Sequence, residues 1–137
     1  RTRQYFTCVY GVIDPASGRF QYVICGHPAP LLLPTGGPPV AVAGAGLPIG
    51  MIEDAEFRGE SLTLQPGERL YFYTDGAVEA VNADDDEFGR ARLVAEIARW
   101  RERPLRTGLE LVAAAVRAWC GGSLKDDLSL LAVERVG

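Results

Sequence analysis

Two aspartate motifs, each at the edge of an apolar strand, carry the chemistry legible in this chain. Tyr71-Phe72-Tyr73-Thr74-Asp75-Gly76 is the first, and Lys125-Asp126-Asp127-Leu128-Ser129-Leu130-Leu131 stands near the C-terminus. In both, a carboxylate sits where a buried strand meets a loop. If the two strands are neighbours in one sheet, both acids can face one hard cation, an arrangement suited to metal-assisted phosphoryl hydrolysis. Taken singly, each motif reads as ordinary structure, Asp75-Gly76 as a turn and Asp126-Asp127 as a solvated strand entry. Their pairing is what gives them weight.

The elements that must position these acids follow from periodicity. Residues 5–13 and 19–25 are rich in aromatic and β-branched side chains on either side of Asp14-Pro15-Ala16-Ser17-Gly18. This predicts a β-hairpin, with Pro preset for the turn and Gly supplying positive φ. Residues 34–50 are dominated by Pro, Gly and Ala, a loop-rich excursion with short strands expected at 31–33 and 40–42. Residues 60–64 direct Leu62 and Leu64 inward, Gln65-Pro66-Gly67-Glu68 turns the chain, and residues 69–74 return as a continuous apolar strand. The expectation is a second hairpin that delivers Asp75 at its end. Two helices should follow. Residues 89–101 place Leu93, Ile97 and Trp100 at helical spacing, with Pro104 as the stop. The second helix is expected to open on a capping box of Thr107 and Glu110, to bury Leu109, Val112, Val116 and Trp119 or Cys120, and to end at Gly121-Gly122. The Trp100 and Trp119 stripes read as core packing. A last buried strand is expected over residues 128–133, and the stretch between Asp75 and Asp126 is long enough for a two-helix crossover that brings the second acid beside the first.

Composition bounds the function. At 137 residues and 47% hydrophobic, the chain can bury one core. A formal charge of −4, with Lys and Arg scattered apart from residues 99–106, offers no basic face for nucleic acid. The apolar runs are broken by Pro and Gly well short of the ~20 residues a membrane helix needs. No signal-peptide pattern opens the chain. Cys8, Cys25 and Cys120 cannot all pair within it, and they are expected as small buried hydrophobes in a reducing cytoplasm. A catalytic cysteine is disfavoured, because the one histidine, His27, sits in a Pro-flanked loop.

The chain also contains Cys25-Gly26-His27-Pro28-Ala29-Pro30-Leu31-Leu32-Leu33, Leu47-Pro48-Ile49-Gly50, Pro66-Gly67-Glu68 and Glu87-Phe88-Gly89. In this order and spacing they resemble the bacterial stage II sporulation protein E-like serine phosphatases, of the metal-dependent, type 2C class. The resemblance runs from about Phe6 to Val133, and the stretch YTDGAVEAVN at residues 73–82 is its most specific part. It implies an α+β fold, a β-sandwich with helices on its outer faces (α-β-β-α) and two Mn²⁺ or Mg²⁺ ions at one end. Such ions would neutralise the oxygens of a phosphoserine dianion and acidify a water. Oxygen ligands suit them, and the chain lacks the Cys and His cluster that zinc would want.

Residue by residue, Asp75 matches the family's metal aspartate in Thr-Asp-Gly, and Asp126 that of the terminal motif. Both are the catalytic and metal-ligand candidates. Asp127 matches the supporting residue after Asp126, and Gly76 is expected to allow the tight turn that exposes Asp75. His27 reads as a hydrogen-bonded loop residue more than as a general acid. The run Asp84-Asp85-Asp86-Glu87 lacks the spacing of a calcium loop and reads as a solvated turn. Glu79 reads equally as a cap or as a solvent-facing residue.

One departure matters. The family carries, ahead of the matched region, a strand ending in Asp-x-x-Gly-His-Gly or a close variant that also holds the metals. Here the one Asp before Asp54 is Asp14, in the hairpin turn. Residues 1–137 are therefore expected to be the C-terminal part of one phosphatase domain, inactive alone, with the N-terminal part missing. Sheet edges would be left uncovered, so self-association or completion by another chain is expected. The partner implied is a phosphorylated bacterial regulatory protein, such as an anti-sigma-factor antagonist. The alternative is a non-catalytic regulatory or scaffold module on a degenerate phosphatase fold.

Overall fold

The computed structural model describes residues 4–137. Its elements run β1 (Cys8–Ile13), β2 (Arg19–Cys25), β3 (Leu31–Leu33), β4 (Val40–Ala41), β5 (Glu60–Thr63), β6 (Arg69–Tyr73), α1 (Asp75–Val78), α2 (Gly89–Arg99), α3 (Leu105–Trp119) and β7 (Leu130–Glu134). They form a three-stranded sheet, β1-β2-β5, and a four-stranded sheet, β4-β3-β6-β7, with antiparallel pairing throughout.

The first hairpin forms as its turn residues dictate. The Asp14 N–H donates to the Arg19 carbonyl, the Gly18 N–H donates back to the Asp14 carbonyl (both 2.8 Å), and Gly18 takes a φ of 77°. The Asp14 carboxylate accepts from the Ser17 hydroxyl (2.9 Å) and the Ala16 N–H (3.1 Å). These bonds, Ser17 first, hold it below the ordinary carboxylate value. The strand begins at Cys8, later than the aromatic run at residues 5–7 suggests, because Phe6 bridges to Ile49 in the following excursion.

Two apolar layers share β6. Leu70 and Phe72 face the space between the sheets, where they meet Phe20, Tyr22, Ile24 and Leu64. Phe20 stacks on Tyr22 with ring centroids 4.7 Å apart and meets Phe72 edge-on at 6.0 Å. Tyr71 and Tyr73 face the other way and pack with Leu31, Leu33, Leu93, Ile97, Val112 and Val116 beneath α2 and α3. A strand covered on both faces reads in sequence as an unbroken apolar run. Each fully buried Leu or Val here contributes roughly 1.5–3 kcal/mol.

Four sequence expectations are corrected. First, β5 and β6 are not a hairpin. β5 pairs with β2, while β6 pairs with β3 and β7 in the other sheet. The turn between them crosses from sheet to sheet, and its backbone is satisfied by both: the Leu64 N–H donates to the Gly18 carbonyl (2.8 Å) and the Gly67 N–H to the Arg135 carbonyl (2.7 Å). Second, α3 starts at Leu105, a turn earlier than a Thr107–Glu110 box would place it. Pro104 is its N-cap, and the Gly108 N–H donates to the Pro104 carbonyl at 2.9 Å. Third, α2 ends at Arg99, before Pro104 can act, and Trp100 is its C-cap. Fourth, β7 begins at Leu130 and is an edge strand, with Leu131 59% exposed. Residues 128–129 are held outside the ladder by Thr74, as described below. Gly121 and Gly122, at φ 67° and 84°, end α3 as expected.

At the end of β6 remote from Asp75, Arg69 is 6% exposed and its Nε donates to Glu134 Oε1 at 2.6 Å across the β6–β7 register, while its other nitrogens reach the Arg103 carbonyl and the Tyr71 hydroxyl. This ties the last strand and the α2–α3 connection to β6. Glu134→Ala, which strands the Arg69 charge, is expected to lower unfolding stability by about 2–3 kcal/mol, somewhat less than for a fully enclosed pair because Glu134 keeps part of its side chain in water. The double change Arg69→Met with Glu134→Leu should recover most of that loss in urea titration.

Candidate metal-binding end of the sandwich

β6 and β7 run antiparallel with Tyr73 opposite Leu130, so the exit of one strand and the entry of the other lie at the same end of the sheet. Asp75 stands just past that exit and Asp126 and Asp127 just before that entry. The two motifs are joined by Thr74, whose N–H donates to the Ser129 carbonyl (3.2 Å). Its Oγ1 accepts the Ser129 N–H (3.1 Å) and donates, at the long limit of 3.5 Å, to the Asp127 carbonyl. Thr74 occupies the N-cap position of α1 yet makes no side-chain capping bond. Its hydroxyl serves the neighbouring loop instead. Sequence reasoning missed this role, although a hydroxyl residue directly before an acid at a strand end was the available signal.

Gly76 is required for a different reason than expected. It lies in the short helix α1, and its φ is not in the left-handed region, so no special turn conformation demands glycine. A Cβ at this position would collide with the Asp127 carbonyl. Gly76 is therefore a second point, beside the Thr74–Ser129 bond, where the two motifs meet backbone to backbone. Ala77, completely buried, and Ala80 anchor α1 in the core beneath the helices. Leu124 and Leu128, partly buried against the same core, pin the second motif on either side of its acids.

Asp75 is exposed in the first turn of α1, and its carbonyl accepts the Glu79 N–H (2.8 Å). Glu79 is thus the exposed C-cap of α1, a backbone role. Asp126 and Asp127 are exposed, and Asp126 Oδ1 accepts the Asp127 N–H (3.0 Å). A cleft of about 220 Å³ opens beside them, lined by Gly76, Glu79, Cys120, Ser123, Lys125 and Asp126. Tyr73, buried under Asp75, has its phenol raised above the ordinary value by burial, with Arg90 opposing and the Asp75 charge adding to the rise. Carboxylate oxygens from the first turn of α1 and from the loop before β7 are the donor type that Mg²⁺ or Mn²⁺ takes. Among the described residues, no three His, Cys, Asp or Glu side chains converge as a metal cage. The donors fit such ions in kind, and two carboxylates are fewer than a closed site needs.

The remaining candidates fall elsewhere. Asp84, Asp85 and Asp86 form an exposed turn organised by Asn82, whose Oδ1 accepts the N–H groups of Asp84 (3.0 Å) and Asp86 (2.9 Å). This is a solvated turn, as its spacing implied. His27 is half-buried, and its Nδ1 is enclosed without a hydrogen-bond partner, contrary to the bonded loop residue expected. The adjoining Gly26 N–H donates to the Gly46 carbonyl (2.6 Å) in a turn packed against Pro48. All three cysteines are free. Cys25 is buried as expected, whereas Cys8 and Cys120 are only half-buried, on an edge strand and at a helix end.

This two-sheet sandwich, helices packed on one sheet and acidic loops at one end, is the fold of PP2C-type phosphatase domains. It overlays the phosphatase domain of the Bacillus subtilis cell-fate determinant SpoIIE, in a manganese-presoaked form, with a TM-score of 0.75 at 15% identity, covering 95% of this chain and 56% of that one. The RsbU and RsbW domains of Rv1364c from Mycobacterium tuberculosis match with a TM-score of 0.80 at 28% identity, over 95% of this chain and 36% of that one. The chain belongs to the Stage II sporulation protein E (SpoIIE) family, which it matches over residues 1–136. Among curated relatives, Protein IcfG of Synechocystis is 30% identical over 132 residues, 96% of this chain, and Phosphoserine phosphatase RsbP of Bacillus subtilis is 40% identical over 77 residues, 56% of this chain. The chain spans about a fifth of the length of these two relatives.

Gly76→Ala tests the contact between the motifs. Its backbone conformation accepts alanine, so any effect is steric. The substitution is expected to cost about 1–3 kcal/mol by forcing the Asp127 carbonyl away. Chemical denaturation should show that loss, with a matching drop in Mn²⁺ affinity measured by calorimetry.

Proposed function

We propose that residues 1–137 are the C-terminal portion of a metal-dependent serine/threonine phosphatase domain that hydrolyses phosphoserine or phosphothreonine on a bacterial regulatory protein in the cytoplasm, an anti-sigma-factor antagonist being the expected kind. The observation that carries this reading is the β6–β7 register, which sets Asp75 and Asp126 at one end of one sheet. Family membership supports phosphatase chemistry, and the phosphoserine phosphatase RsbP supports the substrate class. That the chain covers 56% of a relative's phosphatase domain supports its being part of a domain. Manganese and magnesium in solved relatives support those ions as cofactors.

In this reading Asp75 and Asp126 each give carboxylate oxygen to the divalent ions. Asp127 steadies the loop through its carbonyl, which meets Gly76 and Thr74. When bound, the ions supply charge neutralisation at the phosphoryl group and a more acidic water. The substrate protein docks over the exposed end of the sandwich, and no basic surface for nucleic acid is involved. No helix among the described residues is long and apolar enough to cross a membrane. The two acids do not make a full ligand set, so the 137-residue chain by itself turns over little. Its open edges also favour self-association: β1 and β7 each lie at the border of a sheet, with Tyr10, Val12 and Leu131 exposed.

The absence of a third convergent ligand among the described residues favours, as a second reading, a regulatory or scaffold module that keeps the phosphatase fold without turnover. Substitution separates the two. In the full-length protein with Mn²⁺, Asp75→Asn or Asp126→Asn is expected to cut hydrolysis of p-nitrophenyl phosphate and of a phosphoserine protein on the order of 100-fold or more. Thermal stability should stay level or rise, since a clustered like charge is removed. A chelator should abolish wild-type turnover. Unfolding of either variant would return the two motifs to a purely structural role, and a wild-type protein silent with both ions would select the scaffold reading.

A further inference from the structure

Cys8 and Cys25 are direct register partners on the antiparallel strands β1 and β2. Directly opposed residues have Cα atoms about 4.5–5.5 Å apart and side chains on the same face. That Cα spacing lies within the roughly 4.4–6.8 Å that a disulfide spans, and a small inward shift of the two Cβ atoms completes the bridge geometry. Both are free thiols, and they differ in access: Cys25 is 3% exposed, whereas Cys8, on the border strand of its sheet, is half-buried. Burial pushes the Cys25 thiol above its ordinary value, and the adjacent Cys8 sulfur pushes it the same way. Neither residue lines the cleft beside Asp126, and the proposed hydrolysis uses neither.

We propose that Cys8 and Cys25 are a redox pair that hydrogen peroxide converts to an intrachain disulfide stapling β1 to β2. Cys8, the accessible partner, is oxidised first. Its thiolate attacks one peroxide oxygen, the O–O bond breaks, hydroxide leaves, and Cys8 becomes a sulfenic acid. The Cys25 sulfur then attacks the Cys8 sulfur, expelling the hydroxyl as water once it takes up the proton that Cys25 gives up. The balance is two thiols and one hydrogen peroxide giving one disulfide and two waters. The two sulfurs lose two electrons between them, and the peroxide oxygens gain them. Cys25 resolves the sulfenic acid before a second peroxide can carry Cys8 to the irreversible sulfinic acid. The bridge fastens the strand end that leads into residues 26–28, where Gly26 already packs against Pro48.

The test uses the full-length protein carrying Cys120→Ser, treated with graded hydrogen peroxide and read by peptide mass spectrometry without reduction. The expected product is a peptide pair linked through Cys8 and Cys25, with loss of both thiols and their full return on adding dithiothreitol. With Cys25→Ala, which keeps a small apolar group in the buried position, Cys8 should accumulate as a sulfenic acid trapped by dimedone. With Cys8→Ser, the Cys25 thiol should survive the same treatment. Sulfinic acid at Cys8 with Cys25 still reduced in the Cys120→Ser protein, or a bridge between two chains in place of the intrachain one, would overturn the proposal.

Discussion

β6 is the strand on which the four-stranded sheet, the layer beneath the helices and the acidic end are registered. It pairs with β3 on one side and β7 on the other, lends Leu70 and Phe72 to the space between the sheets, and lends Tyr71 and Tyr73 to the layer beneath the helices. Its five residues fix β7 by a ladder from Arg69–Glu134 at one end to Tyr73–Leu130 at the other. A slip of one residue would invert every side chain of β7 and break the Arg69–Glu134 pair, leaving the desolvated guanidinium with neutral partners and no counter-charge. The register clamped at that remote end is what brings the two acidic loops side by side.

The loops themselves are held by contacts that carry no charge. Thr74 bonds both sides of Ser129 and reaches Asp127, Gly76 lets the Asp127 carbonyl approach, and Leu124 and Leu128 bury themselves around the exposed acids. The carboxylates remain in water, so the fold does not depend on desolvating them, and stability and proposed ligation are carried by different atoms. The basic run at the end of α2 is likewise structural. Arg99 and Arg103 lie over the Trp100 ring, and Arg101 reaches the Gly37 carbonyl, which leaves these cations occupied within the fold.

The layering has an asymmetry with consequences for partners. The four-stranded sheet is covered on both faces, by the other sheet and by α2 and α3, whereas the outer face of the three-stranded sheet has no helix on it among the described residues. Tyr10 and Val12 stand exposed on that face, and the opposed Cys8 and Cys25 lie at its end. An edge strand with apolar residues is an adhesive surface, and the same openness gives an oxidant access to Cys8.

Much of this was readable from residue order alone because the signals are local. The Asp14–Gly18 turn, the two-faced apolar strand at residues 69–73, the stripe Leu109, Val112 and Val116, and the Gly121-Gly122 stop depend on neighbours within a few positions, and they formed where the pattern placed them. The family resemblance, too, lies in motif order, and with it came the sandwich. Tertiary structure decided what local chemistry leaves degenerate. The turn at residues 65–68 suits a hairpin as well as a crossover, and only the pairing of β5 with β2 selected the crossover. Thr107 with Glu110 is a sound cap in isolation, yet Pro104 and the packing of α3 moved the start a turn earlier. The requirement for glycine at position 76 was legible, but its cause, a carbonyl arriving from residue 127, could not be. Closeness between residues 51 positions apart is a property of the β6–β7 register, and no local pattern encodes it.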